Sequence, residues 1–132
     1  MDMSTLLLDT HAYAWAISTP DRLSDRARGA ITDIGNDVLV SAVTAWELAI
    51  KFHSGKWPEA EALVSQHDMY CRRLGAHHRP ITAADAIRAG TMTWAHPDPF
   101  DRMLAAQAML AQATLVTRDN VFSELPGLPV LW

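Results

Sequence analysis

The chain has 132 residues, 49% of them hydrophobic and 20% charged, with a formal net charge of −4. That length suits one domain, residues 1–132, with a continuous core, and the balance excludes an intrinsically disordered polymer. The acidic excess excludes a binder that works through a strongly basic surface; it leaves room for phosphate chemistry, because a bound divalent cation reverses the local sign of an acidic cluster.

Cys71 is the only cysteine. An intramolecular disulfide is therefore impossible, and the expectation is that no Cys-based zinc site can be assembled. The stretch MDMSTLLLDT carries Asp2 where a secretory leader would be positive, and no apolar run is long enough for a membrane span. The expectation is a cytoplasmic protein with no membrane association.

In chain order, Thr5 to Leu8 form a short apolar run of the kind buried on both faces of a sheet, closed by Asp9. HAYAWAI follows as helix or turn, and Pro20 interrupts it. Ser24 is placed to cap a helix over DRARGAITDI, which ends near Gly35-Asn36. Asp37 to Val40 read as a second strand. AVTAWELAIKFH reads as a helix with Ser41 as its cap and Val43, Trp46 and Ile50 on its apolar face. Gly55-Lys56 ends it, and one helical segment is predicted from about Glu59 to Leu74. Arg79 to Ile81 are the third strand, and Thr82 caps the helix AADAIRAGTM.

In HPDPFDRMLAAQA, Asp98 is an N-cap, Pro99 takes the first helical position and Asp101 falls in the first turn of a helix running to about Ala113. Thr114 to Thr117 supply a fourth strand. A turn around Phe122 to Leu125 leads to PVLW, a candidate fifth. Strands alternating with helices predict an α/β protein, a three-layer α/β/α sandwich around a parallel sheet of four or five strands.

Asp9, Glu47, Asp101 and Asp119 stand at or near the ends of these elements, and ligands of such sheets bind beyond the C-terminal strand edges. Each acid also has a structural reading: an Asx turn for Asp9, an i,i+4 pair with Lys51 for Glu47, helix capping for Asp98 and Asp101, a turn for Asp119-Asn120. The coincidence of all four favours a shared pocket for Mg²⁺, an ion that takes oxygen ligands and keeps several waters. Such a pocket suits hydrolysis of a phosphodiester. Arg102, Arg118 and Lys51 lie beside the acids and are candidates for steering phosphate. The six histidines show no HExxH or other helical ligand spacing, and His77, His78 and His96 read as surface or loop residues. Of the five tryptophans, Trp46 and Trp132 read as core, and Trp57 and Trp94 as candidates for RNA or partner contact.

The blocks LLLDTHAYAW, VLVSAVTAWELAIKFHSGKW, HPDPFDRMLAAQA and LVTRDNVF with the closing VLW, in that order, resemble a PIN-domain ribonuclease, in particular a VapC-type toxin of a toxin–antitoxin pair. The resemblance implies a PIN-like fold, Mg²⁺- or Mn²⁺-dependent endoribonuclease activity on RNA, homodimerisation, and inhibition by an antitoxin whose tail occupies the acidic pocket. It carries the family's acids onto Asp9, Glu47, Asp101 and Asp119, with Asp9 and Asp101 as direct metal ligands. Thr117 matches the hydroxyl residue of the TxD pattern, and Asp98 is an added acid in a supporting or capping role. Two competitors are another Mg²⁺-dependent phosphoryl hydrolase and a silent module that captures a basic peptide. An aspartyl-nucleophile phosphatase would show DxDx[TV], whereas this chain has Asp9-Thr10-His11.

Overall fold

The computed structural model describes residues 4–132; Asp2, the acid that argues against a secretory leader, lies outside the described residues. Five parallel strands form one sheet: β1 (Thr5–Leu8), β2 (Asp37–Ser41), β3 (His77–Arg79), β4 (Thr114–Val116) and β5 (Val130–Leu131), in the order β3-β2-β1-β4-β5. β1 pairs with β2 through Leu8↔Val40 and with β4 through Leu8↔Val116. The helices are α1 (Thr10–Ser18), α2 (Asp25–Thr32), α3 (Ala42–His53), α4 (Glu61–Ser65), α5 (His67–Leu74), α6 (Ala83–Thr91) and α7 (Pro99–Leu110).

Alternation along each strand divides the core in two. Leu6, Leu8, Val38, Val40 and Val116 face a cluster completed by Tyr13, Ala27, Ile31, Leu63 and Cys71. Leu7 and Leu115 face the other cluster, with Leu104, Ala105, Ala108 and Phe122. Burial on both faces explains why the strands read as continuous apolar runs, and it confirms the three-layer expectation.

The expected caps are in place. Ser24, Ser41, Thr82 and Asp98 each accept a backbone N–H in the first turn of their helix, and Thr82 with Asp85 forms a reciprocal capping box. Three expectations need correction. β3 lies two residues earlier than Arg79 to Ile81, because Pro80 has no N–H for the ladder and Thr82 must serve as cap. The segment from Glu59 to Leu74 is a 3₁₀ turn and two helices, broken where Gln66 leaves helical dihedrals at φ −124° and ψ 35°. On α3 the inward face is Val43, Thr44, Glu47 and Leu48, while Trp46, 54% exposed, and Ile50 point outward.

α7 is fixed by a buried polar side chain. Gln107 accepts from the Ser41 hydroxyl and donates to Pro80 O at 3.1 Å and Asp85 Oδ2 at 3.0 Å. The Arg79 guanidinium completes the group 2.9 Å from Asp85 Oδ1. Those hydrogen bonds and the charge hold the Asp85 carboxyl below its ordinary range although burial opposes them. The end of β2, α6 and α7 are thereby locked together, which sets the position of the first turn of α7 and its acids.

Candidate metal centre

The strand order reverses between β1 and β4, with β2 and β3 laid down to one side and β5 to the other. A crevice opens at the carboxyl ends of two such strands. Here it is a cavity of ≈ 450 Å³ whose wall includes Asp9, Glu47, Asp98, Asp101 and Asp119, together with Lys51 and Arg118. All four acids singled out in the sequence thus reach one cavity.

Asp9 follows β1 directly, and its N–H donates to Val116 O at 3.1 Å, continuing the β1–β4 ladder by one residue. Its carboxylate is held at both oxygens: Oδ1 accepts from Ala12 N at 2.8 Å as the cap of α1, and Oδ2 accepts from the Thr117 hydroxyl at 2.7 Å. Thr117 Oγ1 in turn accepts from Asp119 N at 3.0 Å. The TxD pair therefore ties the end of β4 to the end of β1. Burial drives the Asp9 pKa up to about 6, the hydrogen bonds from Ala12 and Thr117 oppose the rise, and Asp101 and Glu47 add to it.

Glu47 is buried on α3. Its Oε1 accepts from Thr10 Oγ1 at 2.6 Å and its Oε2 lies 2.6 Å from Lys51 Nζ. The i,i+4 pair with Lys51 expected from the sequence is present, but inside the cavity wall. Asp101 is half-buried, with Oδ2 2.7 Å from His96 Nε2. Burial raises its pKa, His96 lowers it, and Asp98 and Glu47 push it upward. Asp98 commits Oδ1 to Phe100 N and Asp101 N at 2.8 and 3.1 Å, so capping is its first role. Asp119 is exposed at the rim and caps the 3₁₀ turn Asn120–Glu124 through Val121 N.

Two residues of the neighbourhood escaped the sequence reading. His96, expected as a loop residue, forms with Asp98 and Asp101 a group whose ligand atoms all lie within 4.8 Å of one another. His11 lines the cavity and stacks on Trp57 with ring centroids 4.9 Å apart. No spacing rule could flag a histidine that acts from a loop.

Arg102 is a correction. Its guanidinium donates to the carbonyls of Ala89, Met92, Trp94 and His96 at 2.6–3.0 Å. A fork whose donors are occupied by four carbonyls serves the structure and not the substrate, fastening the loop that carries His96 to the helix that carries Asp101. Arg118 is exposed on the cavity rim, 5.9 Å from the centre of the Trp15 ring, and Lys51 is held by Glu47. Trp94 packs with tilted rings against His96, centroids 4.9 Å apart, and Phe122, 5.7 Å apart, and is thus part of the support for the loop.

The donors suit a hard divalent cation: carboxylate oxygens, two of them raised in pKa by burial and mutual repulsion that a cation would relieve. Asp9, Glu47, Asp101 and Asp119 are spaced more openly than the His96 group, since among the described residues no three of them form a set with ligand atoms within 4.8 Å. Fold and site together give an α/β domain that gathers its acids at the switch point of a parallel sheet, a donor set suited to a divalent cation.

The chain belongs to the PIN-domain family, whose model matches residues 6–128. Ribonuclease VapC22 of Mycobacterium tuberculosis is 32% identical over 121 residues, spanning 89% of each chain. Among solved structures, VapBC2 from Rickettsia felis, bound to a DNA fragment from its promoter, superposes with a TM-score of 0.68 at 20% identity, covering 97% of this chain and 98% of that one. FitAcB from Neisseria gonorrhoeae gives 0.65 at 22%, over 96% of both chains.

The sign of the Asp9 shift fixes a pH dependence. A carboxyl whose pKa is raised in the fold binds its proton more tightly there than in the unfolded chain. Its contribution is intact below the ordinary value of 3.8 and is lost as pH rises through about 6. Asp9→Asn keeps an oxygen for Ala12 N and removes the charge. In EDTA the variant is expected to be more stable than the wild type at neutral pH by up to about 2–3 kcal/mol, with the gap closing near pH 4. Thermal melts across that range measure it; a gap independent of pH contradicts the assignment.

Proposed function

We propose that the chain is a metal-dependent endoribonuclease, the toxin of a toxin–antitoxin pair, inhibited by its cognate antitoxin. The observation that carries the reading is the convergence of Asp9, Glu47, Asp101 and Asp119 on one cavity at the β1/β4 crevice, in a chain related along most of its length to a VapC ribonuclease. Asp9 and Asp101 would hold a Mg²⁺ or Mn²⁺ ion directly, with Glu47 and Asp119 completing the acid set. The bound cation supplies charge neutralisation at phosphorus and a more acidic water. Thr117 keeps the Asp9 carboxylate turned toward the cavity, and His96 does the same for Asp101. Glu47, held by Thr10 and Lys51, is placed to accept a proton from a water in the cavity.

RNA reaches these acids over a basic rim. Arg118 and Lys51 stand on the first cavity, and Lys51 is shared with a second hollow of ≈ 660 Å³ that adds Arg22, Lys56 and Trp57. The cations follow the phosphate backbone locally while the chain as a whole stays acidic. The antitoxin fits the same ground by placing a basic side chain among the acids. Pairing into a homodimer would cover the exposed apolar side chains Trp46 and Ile50 of α3. None of the described helices is long and apolar enough to cross a membrane. The cytoplasm is the compartment in which an RNA target and a bound antitoxin meet the chain.

Incubation of the purified protein with total RNA tests the activity. Cuts at few sites are expected with Mg²⁺ or Mn²⁺ and none in EDTA, and folded Asp9→Asn and Asp101→Asn variants are expected to lose at least about a hundredfold in rate. Equal cutting by either variant would exclude the mechanism. Arg118→Ala is expected to raise KM several-fold, most at low salt, with kcat and melting temperature little changed. A KM unchanged across a salt series would remove Arg118 from the RNA track.

A further inference from the structure

Away from both cavities, His67 and Cys71 stand one turn apart on the same face of α5, and His78 reaches them from β3. Their ligand atoms all lie within 4.8 Å of one another. We propose that His67, Cys71 and His78 form a second metal site, for a borderline-soft divalent cation of the zinc kind, separate in place and chemistry from the acid cavity.

Three observations carry this. Cys71 Sγ lies 3.6 Å from His67 Nε2. Two ligands of one tetrahedral zinc, with metal–sulfur near 2.3 Å and metal–nitrogen near 2.0 Å, stand about 3.5 Å apart, so the pair already holds the separation a shared ion requires. Second, Nε2 of His67, the nitrogen that faces the sulfur, has no other hydrogen-bond partner, so its lone pair is available to an ion. Third, Asp68 Oδ1 lies 3.4 Å from His78 Nε2, the kind of carboxylate partner that orients imidazoles around bound metals.

The donor set also separates the two sites. One sulfur and two imidazole nitrogens suit zinc or cobalt, whereas Mg²⁺ takes oxygen ligands. His78 and Asp68 are exposed, so the ion and a water in its fourth position arrive from that side. As the metal–sulfur bond forms, the Cys71 thiol proton passes to solvent. The bound ion would clip α5 to the edge strand β3, where a three-residue strand has little pairing of its own. The cysteine count had argued against such a site; one thiol is enough where two imidazoles complete the set, and the His67–Cys71 spacing of four is a helical ligand spacing.

Titration of the whole chain with Co²⁺, in excess Mg²⁺ to occupy the acid cavity, tests the proposal without reference to RNA cleavage. The expected result is one Co²⁺ per chain, with a thiolate-to-cobalt charge-transfer band and the intense visible bands of a tetrahedral ion, both displaced by Zn²⁺. Cys71→Ser should abolish the charge-transfer band. His78→Ala, a change at an exposed position that leaves folding intact by circular dichroism, should weaken binding at least about tenfold. The Asp9→Asn/Asp101→Asn double variant should bind Co²⁺ as the wild type does. Absence of the thiolate band, wild-type affinity in His78→Ala, or loss of the band in the double aspartate variant would each overturn the site.

Discussion

The site depends on the parallel pairing of β1 with β4. Leu8 lies beside Val116, Asp9 N donates to Val116 O, and the Thr117 hydroxyl then meets Asp9 Oδ2 across 108 positions of sequence. A one-residue slip in that register would turn every side chain to the opposite face and carry Asp9 away from Thr117. The two short strands can hold it because their residues are buried on both faces, with Leu7 and Leu8 facing different halves of the core. Burial of those leucines offsets the cost of keeping a carboxylate where water is scarce.

Each acid is compensated differently, and the differences suit a site that is to receive a cation. Glu47 has a hydroxyl and an ammonium, Asp101 an imidazole, and Asp9 only neutral donors. The least compensated carboxylate is therefore the most buried of the direct ligand candidates, and its protonation is the most displaced. A divalent cation among these groups removes the repulsion and replaces the missing hydration together. Binding and stability are coupled for this reason.

Much of this was legible in the sequence where local chemistry alone decides it. Asp98-Pro99 announced the start of α7, Thr82 that of α6, and the run before Asp9 announced a central strand. Context changed the remainder. The apolar spacing of Val43, Trp46 and Ile50 predicts the wrong inward face of α3, because Thr44 and Glu47 are satisfied by Thr10 and Lys51 and can be buried while Trp46 packs edge-on against Phe100 at 5.1 Å. Arg102 stands next to a candidate ligand in sequence, yet the carbonyls that occupy it come from the end of α6 and the loop after it, up to 13 positions away. His96 acquires its role only when its loop folds back on the first turn of α7, and the His67–Cys71 pair of α5 only when His78 of β3 is brought beside it.

Paramagnetic broadening locates the cation directly. In an amide spectrum of the folded chain, Mn²⁺ added at a small fraction of the protein concentration broadens signals around the bound ion. Loss centred on Asp9, Glu47, Asp101 and Asp119, reversed by excess Mg²⁺, is the expected result. Broadening centred elsewhere, or spread evenly over the surface, would mean that these four carboxylates do not share a metal.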